Sequence, residues 1–96
     1  MNLRIEHDRE RREFVTAEDG HRALLAYELV DRVMTIVHTG VPAAVANRGI
    51  AAELMRAALR AAEEEHWQVV ADCSYARAFL QRQGGVAGAP TAGRAG

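Results

Sequence analysis

The chain has 96 residues, of which 49% are hydrophobic and 26% charged, and a formal net charge of −1. That length holds one hydrophobic core, and the near-neutral charge lacks the field that draws proteins onto a phosphate backbone, so nucleic acid is not an expected partner. Cys73 is the single cysteine, which excludes an intrachain disulfide. With no signal-type segment at the N-terminus and no apolar run near the ~20 residues of a membrane helix, the expectation is a cytoplasmic protein without a membrane partner.

Taken in chain order, Leu3, Ile5 and His7 alternate with Arg4, Glu6 and Asp8, and the alternation resumes at Phe14 and Thr16. This predicts two short strands joined by a polar turn. Asp19–Gly20 is a hairpin dipeptide, because Gly accepts positive φ and Asp hydrogen-bonds its own backbone. A third strand follows from Arg22, with Ala23, Leu25, Tyr27 and Leu29 on one face and Leu24, Ala26 and Val30 on the other. Two apolar faces predict a central strand covered on both sides. Asp31–Arg32 then separates it from a fourth strand, Val33–Thr39.

Between Arg48 and His66 the period changes. Ile50, Leu54, Ala58 and Ala62 recur at four-residue steps, while Glu53, Arg56, Arg60, Glu63 and Glu64 fall on the other face. The pattern predicts an amphipathic helix, with Asn47 placed to cap its first turn. Glu63–Glu65 puts three carboxylates at its C-terminal end, where the macrodipole disfavours them, and nothing in the sequence explains that choice. Trp67–Ala71 reads as a fifth strand. Ser74–Gln83 reads as a second helix with Phe79 and Leu80 inward, stopped by Gly84–Gly85. A strand, helix, strand succession favours parallel pairing of the fourth and fifth strands through a right-handed crossover. The expected fold is therefore α/β with one mixed sheet, in the order ββββ-α-β-α, occupying residues 1–83. Residues 84–96 are rich in Gly, Ala and Pro without periodicity and are expected to form a flexible tail.

The run HTGVP at His38–Pro42, NRGIAAELMRAAL at Asn47–Leu59 and CSYARAFL at Cys73–Leu80 together resemble the small stand-alone acetyltransferase domains of the GNAT type. The resemblance covers roughly residues 12 to 83. It implies a truncated GNAT fold that binds acetyl-CoA between splayed fourth and fifth strands and acetylates an amine not identifiable from the sequence, as a monomer or weak homodimer. It also implies cofactor contacts from Thr39, Gly40, Val41, Asn47, Arg48, Gly49, Ile50, Ala51 and Arg77, and chemistry at Cys73 and His38. The physical basis of the loop is the helix N-terminus, where backbone N–H groups and about half a unit of positive charge hold a pyrophosphate if the residues are small. Gly49 and Ala51 meet that requirement. The superfamily loop usually begins with Arg or Gln, and Ala46 stands there instead, leaving Arg48 to compensate. Asn47 stands where Gly is common, and Asn is the residue after Gly that best tolerates left-handed geometry.

Cys73 lies at the start of the second predicted helix, a location that favours thiolate, but Asp72 precedes it with an opposing charge. A small buried hydrophobe is the plain alternative for an isolated cysteine. His38 is either a general base or a strand-end residue bonded to its own backbone. His7, His21 and His66 read as surface residues without partners at ligand spacing, so no metal is expected, and Tyr27 and Tyr75 read as core and rim packing. The second functional reading is a non-catalytic acyl-CoA-binding or protein-interaction module with a degenerate phosphate loop.

Overall fold

The computed structural model describes residues 3–82. One five-stranded sheet runs β1 (Glu6–Asp8), β2 (Glu13–Glu18), β3 (His21–Val30), β4 (Val33–Gly40) and β5 (Gln68–Ala71), in that spatial order. β1 to β4 pair antiparallel, and β4 pairs with β5 in parallel across α1 (Ile50–Glu65). α2 (Ser74–Arg82) follows β5. The order ββββ-α-β-α and the mixed sheet agree with the sequence reading. The Gly84–Gly85 stop and the 84–96 tail lie outside the described residues.

The core forms where the inward face of the sheet meets the helices. Leu25, Met34 and Ile36 on the strands and Ile50, Leu54 and Met55 on α1 are all fully buried. Each such side chain contributes ~1.5–3 kcal/mol when removed from water. Phe79 and Ala76 join the same cluster from α2, with the Arg56 guanidinium of α1 lying 5.9 Å above the Phe79 ring. Because both helices contribute to that one core, β3 is central but not covered on both sides: Ala23, Leu25 and Tyr27 are buried, Leu24 and Ala26 only half-buried, and Val30 66% exposed.

Both long hairpins turn through two left-handed residues, Asp19–Gly20 (φ 53° and 77°) and Asp31–Arg32 (φ 52° and 65°). This turn matches the twist of the strands. Left-handed geometry costs a non-glycine residue roughly 1 kcal/mol, and Arg32 has compensating bonds. Its Nη2 donates to the Glu65 and His66 carbonyls at 3.2 and 3.4 Å, and its own carbonyl accepts from the Gln68 N–H at 2.8 Å. The Glu63–Glu65 puzzle is thereby answered in part: the cations missing from the helix end arrive from the turn, as Arg32, and from Arg9, which pairs with Glu65 at 2.9 Å.

Two local expectations change. α1 begins at Ile50 with Gly49 (φ 81°) as its N-cap, and Asn47 adopts φ 64° without capping the helix. Asn47 and Gly49 are left-handed on either side of Arg48, and the cap position falls to Gly49. His7 is not a free surface residue. Register places it opposite Phe14, so its ring stacks on Phe14 at 4.1 Å and its Nε2 lies 2.6 Å from the Tyr27 hydroxyl.

Candidate functional site

The site is built by a defect in β4. Ala26 pairs with His38 and Tyr27 with Ile36, so Val37 is an extra, unpaired residue. A bulge of this kind bends its strand and ends regular pairing. The parallel ladder to β5 stops at Ile36–Ala71, with a last bond from the Asp72 N–H to the Ile36 carbonyl at 2.8 Å. Past that point the strands part, and the next link between them is the Thr39 hydroxyl 3.8 Å from the Cys73 sulfur.

Cys73 is half-buried and caps α2. Its sulfur accepts the Ala76 N–H at 3.4 Å, and its carbonyl accepts the Arg77 N–H at 3.0 Å. The neighbouring Asp72 carboxylate is exposed, with Arg77 Nη1 at 4.0 Å, so the pair faces solvent. Arg77 also donates to the Ala71 carbonyl at 3.4 Å. His38 follows a different course. Successive strand residues point to opposite faces, and since Thr39 meets Cys73, His38 projects from the other side of the sheet. Its ring lies over Gly40, where an added Cβ would come within 2.9 Å of Nε2. Among the described residues no hydrogen bond joins His38 to Cys73.

Beyond the parting strands lies a half-open cleft of about 240 Å³, lined by Val41, Ala46, Asn47, Gly49, Ile50, Ala51, Ala52 and Tyr75. It therefore sits between the residue after β4, the N-terminus of α1 and the first turn of α2. The first helical bond of α1 runs from the Glu53 N–H to the Gly49 carbonyl, and no side chain caps the turn. The N–H groups of Ile50, Ala51 and Ala52 precede that bond and have no intrahelical partner. An ideal Cβ on Gly49 meets no atom within 4 Å, so the approach to the loop is open. Small side chains, free donors and the positive end of a 16-residue helix fit a phosphate-bearing ligand.

Of the residues expected to touch a cofactor, Val41, Asn47, Gly49, Ile50 and Ala51 line the cleft together. Thr39 and Gly40 lead into it along β4. Arg48 is held elsewhere, 2.7 Å from the Asp19 carboxylate and 3.7 Å from that of Glu18. Ala46, which the sequence reading placed at the start of the loop without a contact, also lines the cleft, as do Ala52 and Tyr75, to which that reading gave no part in the site. Tyr75 was within reach of that reading, since it is one turn from the inward Phe79 on the same helix face. His7 and Tyr27 lie away from the cleft, on β1 and β3. Burial and then the Arg9 charge lower the His7 pKa, and burial raises that of Tyr27. Among the described residues no cluster of His, Cys, Asp or Glu is arranged to hold a metal, and no helix is long and apolar enough to cross a membrane.

Comparison with known proteins agrees with this geometry. The family described as GCN5-related N-acetyltransferase matches residues 13–87. Protein NATD1 of Bos taurus is 42% identical over 82 residues, covering 82% of this chain and 73% of that protein. Protein NATD1 of Homo sapiens is 40% identical, with coverage of 82% and 73%. An NMR solution structure of a GCN5-like protein from Staphylococcus aureus, described as a candidate N-acetyltransferase, superposes with a TM-score of 0.68 at 28% identity, covering 85% of this chain and 81% of that one. The match spans the bulged β4, the α1 loop and the start of α2, and the chain belongs to the GCN5-related N-acetyltransferase family.

Proposed function

We propose that this domain transfers an acetyl group from acetyl-CoA to an amine, with the cosubstrate running from the α1 N-terminus to the fork between β4 and β5. The observation that carries the proposal is the cleft itself: small residues and unclaimed N–H groups at a helix N-terminus, opening beside the point where two parallel strands part. Family membership supports the same reading.

Acetyl-CoA supplies an activated thioester, and the protein supplies position and charge. Ile50, Ala51 and Ala52 hold phosphate oxygens through backbone N–H groups, and Gly49 leaves room for their approach. Val41 and Tyr75 bound the apolar part of the cleft and exclude water from it. The backbone of Thr39–Val41 lies beyond the last β5 pair, while Thr39 and Gly40 still pair with Leu25 and Leu24 of β3. An N–H of this stretch that points away from β3 is therefore the donor offered to a carbonyl oxygen as negative charge develops there. Holding the amine against the thioester is worth several kcal/mol by proximity alone, which is why a well-placed loop matters more than any one side chain.

Cys73 separates two chemical routes. Direct attack by the amine needs no protein nucleophile, whereas relay through the thiol gives ping-pong kinetics and a trappable acetyl-enzyme. Because the Cys73 sulfur also caps α2, Cys73→Ala confounds chemistry with stability. Cys73→Ser retains a capping acceptor and removes the thiol. Direct transfer predicts that Cys73→Ser keeps most of the wild-type rate. Loss of nearly all activity, with acetyl-enzyme detected by mass spectrometry in the wild type, would establish the relay.

A binding module without catalysis is the second reading, and two observations favour it. Ala46 offers no cation to the loop, and Arg48 is engaged by Glu18 and Asp19. Saturable CoA binding with no turnover across an amine panel would select that reading.

A further inference from the structure

Arg48 is the only basic residue of the 41–49 loop, and its environment is unusual. It stands between two left-handed residues, Asn47 and Gly49, which fix the direction in which its side chain leaves the chain. Facing it is the Asp19–Gly20 turn, where both residues are also left-handed. Two tightly turned segments, distant in sequence, thus bring the Arg48 guanidinium to 2.7 Å from Asp19 and 3.7 Å from Glu18. All of this happens beside the cleft, whose lining includes both neighbours of Arg48.

We propose that Glu18, Asp19 and Arg48 form a latch in which the guanidinium passes from the two carboxylates to a phosphate group of the cosubstrate as that ligand fills the cleft. The inference rests on the reading that the cleft takes CoA, and it assigns to the β2–β3 turn a part in ligand selection. Exposed ion pairs of this kind are worth only about 0–1 kcal/mol each, so the resting contact is easily surrendered. A phosphate is a stronger partner, since it carries more charge and accepts two parallel N–H bonds from a guanidinium. With the latch closed, two carboxylates against one guanidinium leave a net negative charge beside the α1 N-terminus. Small anions that gain nothing from the apolar cleft are then held off, while a ligand that also buries its pantetheine arm against Val41 and Tyr75 can displace the carboxylates. Glu18 and Asp19 therefore act as specificity residues and Arg48 as the group they release.

The test is calorimetric titration of the full chain with CoA, 3′-dephospho-CoA and inorganic pyrophosphate, for the wild type, E18Q/D19N, R48A and the triple variant. Thermal unfolding serves as the control for folding, and the Arg48 Nε–H resonance is followed by NMR. The latch predicts that E18Q/D19N tightens CoA binding about three- to fivefold, the worth of exposed ion pairs, and makes pyrophosphate binding detectable. It predicts that the gain disappears when R48A is added, and that the Arg48 resonance shifts on CoA binding in the wild type. If dephospho-CoA loses the Arg48 dependence, the recipient is the 3′-phosphate; if it keeps it, the recipient is the pyrophosphate. Unchanged or weaker CoA binding by E18Q/D19N overturns the latch. An equal gain in the R48A background also overturns it, because general charge repulsion then accounts for the effect. Failure of every protein to bind CoA removes the functional reading beneath it, an outcome distinct from normal binding without Arg48 coupling.

Discussion

The two ends of α1 are treated in opposite ways. At the C-terminal end His66 turns left-handed (φ 63°) and its N–H is bonded back into the helix. Trp67 N–H reaches the Ala62 carbonyl at 2.8 Å, Arg32 covers the last two carbonyls, and Arg9 pairs with Glu65 while lying over the Trp67 ring. Tyr27 lies between Trp67 and the His7–Phe14 stack. At the N-terminal end no side chain caps the helix, Ala46, Asn47 and Gly49 are exposed, and a cleft opens beside them. A domain of this size leaves few backbone groups unsatisfied without reason. On the proposed function the unclaimed polar groups are the end that takes the ligand, while the completed end supplies stability.

The comparison is broken most severely by removing what both ends share. Leu54 is fully buried at the middle of the α1 core face, and Leu54→Ala is expected to cost about 2–5 kcal/mol, read as a lower denaturation midpoint with binding lost only as the protein unfolds. Gly49→Ala touches the open end alone. Its Cβ would meet no neighbouring atom, so the cost is the left-handed backbone, about 1–2 kcal/mol. It should weaken CoA binding more than its effect on melting would suggest, because relaxing the strain moves the N–H groups of α1. Unchanged CoA affinity in a folded Gly49→Ala protein would show that the loop geometry is not used.

The smallest effect belongs to the closed end and is read through pH. His7 has a lowered pKa in the folded state, chiefly from burial and then from Arg9, with Glu65 and Asp8 opposing. Below its unfolded value near 6.5, the unfolded chain therefore binds more protons than the folded one. Stability should decline as pH falls from that value through the lower folded one. Unfolding at pH 7.5 and pH 5 checks this, and His7→Gln should flatten that part of the profile without changing CoA affinity at pH 7.5. A profile unaltered by the substitution would remove His7 from the account.

Much of the fold was legible because its elements carry strong periodic signals. The alternation of Ala23, Leu25 and Tyr27, the four-residue recurrence from Ile50 to Ala62, and Asp19–Gly20 each specify one local geometry, and the packing agrees with all three. What stayed hidden depends on distant pairing. The Val37 bulge leaves no mark in the run Val33–Gly40, since it exists only relative to β3. The one-sided cover of β3 depends on where two helices land. Glu65 made no sense until Arg9 and Arg32 arrived from sequence separations of 56 and 33 residues. Of the candidate site, Gly49 and Ala51 marked the start of a helix whose N-terminus the structure leaves uncapped by any side chain. The engagement of Arg48 by a turn 29 residues earlier, and the separation of His38 from Cys73 by the thickness of the sheet, required the tertiary structure.

The most direct test of the account is whether the open end of α1 holds CoA. Acetyl-CoA and free CoA would be titrated against the protein while thermal unfolding is followed. Ligand at ~100 times its dissociation constant adds about 2.7 kcal/mol, and each kcal/mol raises the midpoint of a chain this small by roughly 4–8 °C. The account predicts a saturable rise of that order in the wild type and a smaller one in Gly49→Ala. No rise at millimolar ligand would contradict it, leaving a GNAT fold whose helix N-terminus has lost its phosphate.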